Sequence, residues 1–385
     1  MRVLQLSKFY PPDHGGIEAV ARDLSAGLVR AGVQVEVLCA SKRRQRVDEV
    51  DALGVRVVRA GSYGLWLSTS MAPGLVRELM RRRAEPDIVH VHMPDPLAAL
   101  AVWTARPRGR VVLHWHSDVV RQRFARHVYA PLERWLLDRA DAVIATSPPY
   151  AQSSPALRRV AHKVAVIPIG APPPVSPSAR RLERIRQRHA GRRIVFALGR
   201  MTYYKGWDVL VAAARHLPED VVVVVGGGGP ELPQYRALAE RAGLAERVRF
   251  VGPLSADSVE AYFRLADVFC MASTVRAEAY GVAVLEAMAR GLPVVATDIP
   301  GSGLGWLHQD GVTGLRVPPG DADALARAIG SLLDAPELRT RFGQAGRARW
   351  AAHFTAETMA DQTLALYRRL LAQPAGTAAL SPSPD

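Results

Sequence analysis

"VVVVVGGGGPEL" occupies Val221–Leu232. Five consecutive valines show no alternation of apolar and polar residues, so both faces of such a strand need apolar cover. That is the situation of a strand inside a parallel sheet with helices on each side. The glycines that follow invite comparison with a dinucleotide fingerprint, and the comparison fails. A G-x-G-x-x-G run from Gly226 needs glycine where Glu231 stands, and one from Gly227 needs it at Leu232. The glycines read instead as a tight turn near a nucleotide's edge, or as structural.

The same rhythm extends in both directions. In the first half the strand candidates are Val3–Leu6, Val33–Cys39, Val55–Val58, Ile88–Val91, Val111–Leu113, Ala142–Ala145 and Val164–Ile167. Helical periodicity covers Ile17–Ala31, Met71–Arg83 and Phe124–Asp138. The second half adds strands at Ile194–Leu198, Val248–Val251, Val268–Met271, Val294–Ala296 and Gly314–Val317. Between the halves lies "PIGAPPPVSPSAR" (Pro168–Arg180), whose prolines read as a stiff linker. The fold class is therefore α/β: two doubly wound domains with parallel sheets, whose ligands belong at the carboxyl ends of the strands and in the cleft between the domains.

Composition narrows the class. No apolar run approaches the roughly 18 residues of a membrane span. The start, MRVLQLSKFYPP, lacks a secretory apolar segment. A cytoplasmic protein is expected. Cys39 and Cys270 are too few for a disulfide framework or zinc site. The net charge is +14, yet no helix-turn-helix, zinc or aromatic-platform pattern accompanies it, so nucleic acid is not expected as a partner. Lysine is rare, at residues 8, 42, 163 and 205. Lys205 stands out because it lies in a loop beside Gly206.

The loops after strands carry the candidate chemistry. Gly15-Gly16 precede the first helix, where backbone amides could meet an anion or simply turn the chain. His90 and His92 alternate, as do His114 and His116. With no third ligand at useful spacing, these read as core or loop-facing histidines rather than a metal centre. His116 lies past its strand, and Asp118 could fix its tautomer or make a turn. Arg200 and Lys205 bracket one loop, and that pair of cations suits a diphosphate. Asp321 and Asp323 form an acidic pair that opens a helix, with Asp321 as N-cap, so no metal is assigned to them. In "RAEAYGVAVLEAMARG" (Arg276–Gly291), Glu278 falls at a helix mouth and Glu286 inside the helix. The amides of Tyr280, Gly281 and Val282 would point toward a diphosphate. Two carboxylates there make sense as acceptors for hydroxyls at the two ends of a nucleotide sugar.

Taken together, Gly15-Gly16, Arg200, Lys205 and the Glu278-x7-Glu286 pair resemble the retaining glycosyltransferases of family 4, which have the GT-B fold of two Rossmann-like domains. "RAEAYG" and "IPGSGLGW" are most similar to bacterial surface-polysaccharide mannosyl- and rhamnosyltransferases, although Ala279 stands where many members have glycine. The resemblance implies an acceptor-binding domain over residues 1–172 and a nucleotide-sugar-binding domain over 173–355. It further implies a helix at 356–372 that returns to the first domain; the composition of 373–385 reads as a disordered tail. Gly16 would approach the donor diphosphate, which Arg200 and Lys205 would neutralise. Glu278 would bind hexose hydroxyls, Glu286 the ribose, and His116 would line the catalytic pocket. No metal or other cofactor is implied. A GDP-sugar would be the donor and a lipid-linked or other saccharide the acceptor, with an anionic membrane surface as a further partner. A nucleotide-sugar 2-epimerase of the same fold and a non-enzymatic nucleotide-binding protein are the alternatives. No motif encodes the linkage or the oligomeric state.

Overall fold

The computed structural model describes residues 1–13, 15–66, 69–118 and 123–373, with residues 123–127 described by their backbone alone. The chain forms two compact units, one comprising Met1–Pro172 and Ala356–Asp385, the other Pro173–Thr355.

The first unit carries strands β1 (Arg2–Ser7), β2 (Gln34–Ala40), β3 (Val47–Val50), β4 (Arg56–Ala60), β5 (Leu65–Trp66), β6 (Thr69–Ser70), β7 (Ile88–Met93), β8 (Arg110–Trp115), β9 (Ala142–Ala145) and β10 (Val164–Val166). Its main sheet runs in the order β10-β9-β8-β7-β1-β2-β4-β3, and β5 and β6 form a separate hairpin. Every pairing in the main sheet is parallel except β3 with β4, which is antiparallel. The expectation of an all-parallel sheet is corrected at this edge. β3 reads VDEV and is largely exposed, so it lacks the apolar run that betrays a buried strand. The order of strands reverses between β1 and β7, which makes the ends of these two strands a topological switch point.

The helix Gly16–Arg30 follows β1. The helix expected from Met71 begins instead at Gly74, after Pro73, which has no N–H to donate to the preceding turn. The last helix, Ala356–Ala372, belongs to this unit. The Ala356 amide donates to the Ala171 carbonyl, and the Tyr367 hydroxyl reaches His90.

The second unit contains β11 (Arg193–Leu198), β12 (Val221–Gly226), β13 (Val248–Gly252), β14 (Val268–Met271), β15 (Val294–Thr297) and β16 (Gly314–Val317). Their order is β13-β12-β11-β14-β15-β16, all parallel. The valines of β12 are buried, as a two-sided strand requires. The glycines after it are structural. A side chain at Gly227 would strike the Gly199 carbonyl and one at Gly229 the backbone of Met201. The Met201 amide donates to the Gly228 carbonyl. Here the switch point lies between β11 and β14, so the loops Gly199–Gly206 and Ala272–Gly281 leave adjacent strands side by side.

Candidate functional site

In the second unit those two loops bring Lys205 onto Glu278. Lys205 closes a short turn, and Gly206 follows in the left-handed region at φ 65°. A Cβ there would lie 2.0 Å from the Ala272 carbonyl oxygen, so only glycine lets the two loops close. Lys205 Nζ donates to Glu278 Oε2 at 2.6 Å, and Ser273 Oγ donates to the same oxygen at 2.8 Å. Both charged side chains are buried, at 8% and 7% exposure. Burial pulls the Lys205 ammonium down, but attraction to Glu278 outweighs it, and the net direction is upward. Lys205 is thus held as a cation. Glu278 Oε1 takes no bond from the described residues, which leaves its lone pairs for a hydroxyl donor.

The loop that carries Glu278 is pinned from below. Ser302 Oγ donates to the Glu278 carbonyl, and Thr297 Oγ1 donates to that of Ser273. Sequence reasoning missed Ser273, Thr297 and Ser302 as supports. Hydroxyl residues in loops after strands were the one available signal.

Tyr280 is buried, and Gly281 caps the helix Val282–Ala289 at φ 91°. No side chain caps this helix among the described residues, and the Val284 and Leu285 amides return to the Gly281 carbonyl. Glu286 lies half-buried one turn in, with its carbonyl accepting from Arg290 Nη1. Arg200 is exposed at the start of the Lys205 loop, close enough for its charge to oppose that of Lys205. The structure therefore joins Lys205 and Glu278 directly. Arg200 and Glu286 make no bond to either among the described residues.

In the first unit, Gly15 is extended and Gly16 opens the helix without a side-chain cap among the described residues. A Cβ on Gly15 would lie 2.0 Å from Glu18 Oε2, so the Glu18 carboxylate already lies at this helix start.

Two readings of the histidines are decided by the packing. Of the two roles open to Asp118, the loop contact is the one present, and no bond to His116 is seen among the described residues. Asp118 Oδ1 accepts from Trp115 Nε1 at 2.9 Å and from Ser154 Oγ at 2.7 Å, and its amide donates to Tyr150, which anchors the loop. It is His92 that meets His116, Nδ1 to Nε2 at 2.9 Å. A third potential ligand is also present, because the parallel register sets His92 opposite His114. Ring nitrogens of His90, His92 and His114 lie within 4.8 Å of one another. A tetrahedral zinc site has an edge of about 3.4 Å, and all of these nitrogens but His114 Nε2, which has no partner among the described residues, are engaged otherwise. His90 Nε2 meets His114 Nδ1 at 3.3 Å, His90 Nδ1 meets the Tyr367 hydroxyl at 2.7 Å, and His92 Nε2 meets Gln5 Oε1 at 2.8 Å. Burial pushes all four imidazoles down, His114 to about 3.

Asp321 Oδ1 accepts from the Ala324 amide at 2.8 Å, the bond of an N-cap. Cys39 and Cys270 are free and buried.

Two doubly wound units, with a buried ammonium–carboxylate pair at one switch point and a histidine beside the other, are the architecture of a GT-B glycosyltransferase. The profile "Glycosyl transferase 4-like domain" matches residues 15–170, and "Glycosyl transferases group 1" matches 179–349. The chain belongs to glycosyltransferase family 4. It is 33% identical to O-antigen chain mannosyltransferase C of Escherichia coli, over 96% of this chain and 99% of that protein. It is 32% identical to the GDP-mannose-dependent alpha-(1-6)-phosphatidylinositol monomannoside mannosyltransferase of Mycobacterium tuberculosis, over 94% and 97% of the two chains. Among solved structures it is similar to sucrose-phosphate synthase from Thermosynechococcus elongatus, with a TM-score of 0.82 and 26% identity over 96% of this chain and 99% of that one.

Proposed function

We propose that the protein moves a hexose, mannose or a close relative, from a GDP-sugar to a hydroxyl of a saccharide acceptor, with retention and without a metal. The observation that carries this reading is the buried Lys205–Glu278 pair. Lys205, with Arg200 at the mouth of its loop, faces the diphosphate, and these cations do the electrostatic work a metal does elsewhere. Glu278 Oε1 accepts a hexose hydroxyl, Glu286 a ribose hydroxyl, and the helix start at Gly281 receives the phosphate. Gly16 is proposed as a further contact to phosphate and His116 as a contact to the sugar. The bond from the anomeric carbon to the phosphate oxygen breaks, and the acceptor oxygen bonds to that carbon on the same face. The acceptor's proton passes to the leaving phosphate oxygen, so the products are the glycoside and GDP.

The relatives' names support the sugar and the base, since one is a mannosyltransferase and the other GDP-mannose-dependent. A panel of GDP-, UDP- and ADP-sugars in thermal unfolding tests the donor. A ligand at a hundred times its Kd stabilises by about 2.7 kcal/mol, and GDP-mannose should give the largest shift. A larger shift with a UDP-sugar overturns the base assignment.

The acceptor is proposed to be lipid-linked, reached at the anionic cytoplasmic face of a membrane. The name of the mycobacterial relative, which specifies a phosphatidylinositol monomannoside, supports a lipid acceptor. The docking surface proposed is Val119–Arg139, with Arg121, Arg123, Arg126, Arg134 and Arg139. Arg121 and the side chains of Arg123, Phe124 and Arg126 lie outside the described residues. Arg134 is exposed, whereas Arg139 is committed to Asp141 and the Pro107 carbonyl. No helix among the described residues is long and apolar enough to cross a membrane. Co-sedimentation with anionic but not neutral vesicles at low salt is expected, and equally poor pelleting with both sinks the membrane role.

A further inference from the structure

The bond between His92 and His116 is the outer end of a buried chain that begins on the helix Gly16–Arg30. Ser25 Oγ lies 2.7 Å from the Ala21 carbonyl oxygen, which can only accept, so the Ser25 proton points there. Tyr10 also lies beside Ser25, but its proton goes to Asp51 at 3.0 Å, so it too could only accept from Ser25. In either case Ser25 Oγ is left as an acceptor toward Gln5. It takes Gln5 Nε2–H at 2.9 Å. That fixes the amide, and Gln5 Oε1 faces His92 Nε2 at 2.8 Å. An amide oxygen only accepts, so His92 carries its proton on Nε2. His92 is fully buried beside other imidazoles and is held neutral, so its Nδ1 is a bare lone pair. The partner of that lone pair, His116 Nε2 at 2.9 Å, must then be the donor, and the two rings lie only 15° from coplanar.

We propose that Gln5, pinned by Ser25, sets the tautomer of His116 through His92, so that His116 presents an unprotonated Nδ1 to a hydroxyl donor of the bound sugar. Gln5, Ser25 and His92 are positioning residues. All three are buried, whereas His116 retains 7% exposure. The Gln5 orientation and the His92 proton follow from atoms left as acceptors, Ser25 Oγ and Gln5 Oε1, and the His116 proton follows from the neutrality of fully buried His92. The proposal rests on the hexose-transfer reading for the identity of the hydroxyl, but not for the tautomer.

Nitrogen-15 spectra of histidine-labelled protein, with His116→Ala supplying the assignment, read the tautomer directly and need no sugar donor. Wild type should show His116 protonated at Nε2 and bare at Nδ1. Gln5→Leu should give a tautomer mixture and lower kcat by about tenfold, the worth of one hydrogen bond to a reacting ligand. Ser25→Ala, which frees the Gln5 amide to flip, serves if Gln5→Leu does not fold. A proton on Nδ1 in wild type overturns the proposal, as does an unchanged tautomer in both Gln5→Leu and Ser25→Ala, or a changed tautomer with an unchanged rate. Full transfer by His116→Ala would instead remove His116 from the hexose-transfer site and leave the tautomer result standing.

Discussion

Lys205 Nζ lies 2.6 Å from Glu278 Oε2, although 73 residues separate them in the chain. The pair changes what a substitution at Lys205 means. An exposed lysine could be removed with the fold intact, but this one leaves a carboxylate buried and unpaired. Lys205→Ala should cost about 3–5 kcal/mol of stability as well as transfer. The double variant Lys205→Met/Glu278→Leu should recover most of that stability and none of the transfer. Chemical denaturation of the three proteins checks this, and a fully stable Lys205→Ala would show that the pair is not energetically coupled.

Arg200 gives the cleaner test of the diphosphate role, because it is exposed. Arg200→Ala should lower transfer by a factor of about ten to a thousand. The melting temperature should stay within a degree or so of wild type, as for most surface substitutions. A near-normal rate would remove Arg200 from the proposed diphosphate site.

Transfer should persist in EDTA, because the Asp321 carboxylate is occupied in capping a helix. Asp321→Ala should cost about 1 kcal/mol of stability and leave turnover intact. Loss of activity on chelation, restored by manganese or magnesium, would contradict the metal-free reading.

Acid should weaken the fold through the buried histidines. His90, His92, His114 and His116 are all held below the ordinary histidine pKa, His114 at about 3. The unfolded chain therefore binds more protons between about pH 6.5 and the folded pKa values. Stability is full above pH 6.5 and falls as pH drops through that window, by about 1.4 kcal/mol per pH unit for each histidine kept neutral. Thermal unfolding at pH 7.5 and 5.5 should show the drop, and His114→Leu should make it shallower. A flat profile would mean that the cluster charges without cost.

The sequence alone determined the local events. Apolar runs without alternation marked strands buried on both faces, the proline cluster marked the break between the two β/α series, and Asp321 announced its helix. The same reading put Glu278 at a helix mouth and Lys205 in a loop beside a glycine, because each depends only on near neighbours. It missed β3, whose VDEV gives no apolar run, and it left Asp118 open between orienting His116 and making a turn. Tertiary structure decided which strands lie side by side and in what register. Parallel pairing of β7 with β8 sets His92 against His114 and brings His116 within reach. Adjacency of β11 and β14 delivers Lys205 to Glu278, and β1 carries Gln5 to His92. Hydrophobic periodicity records which face of an element is buried, but not which element covers it. For that reason the residues of the site were legible in the sequence, whereas their partners emerged only from the packed sheets.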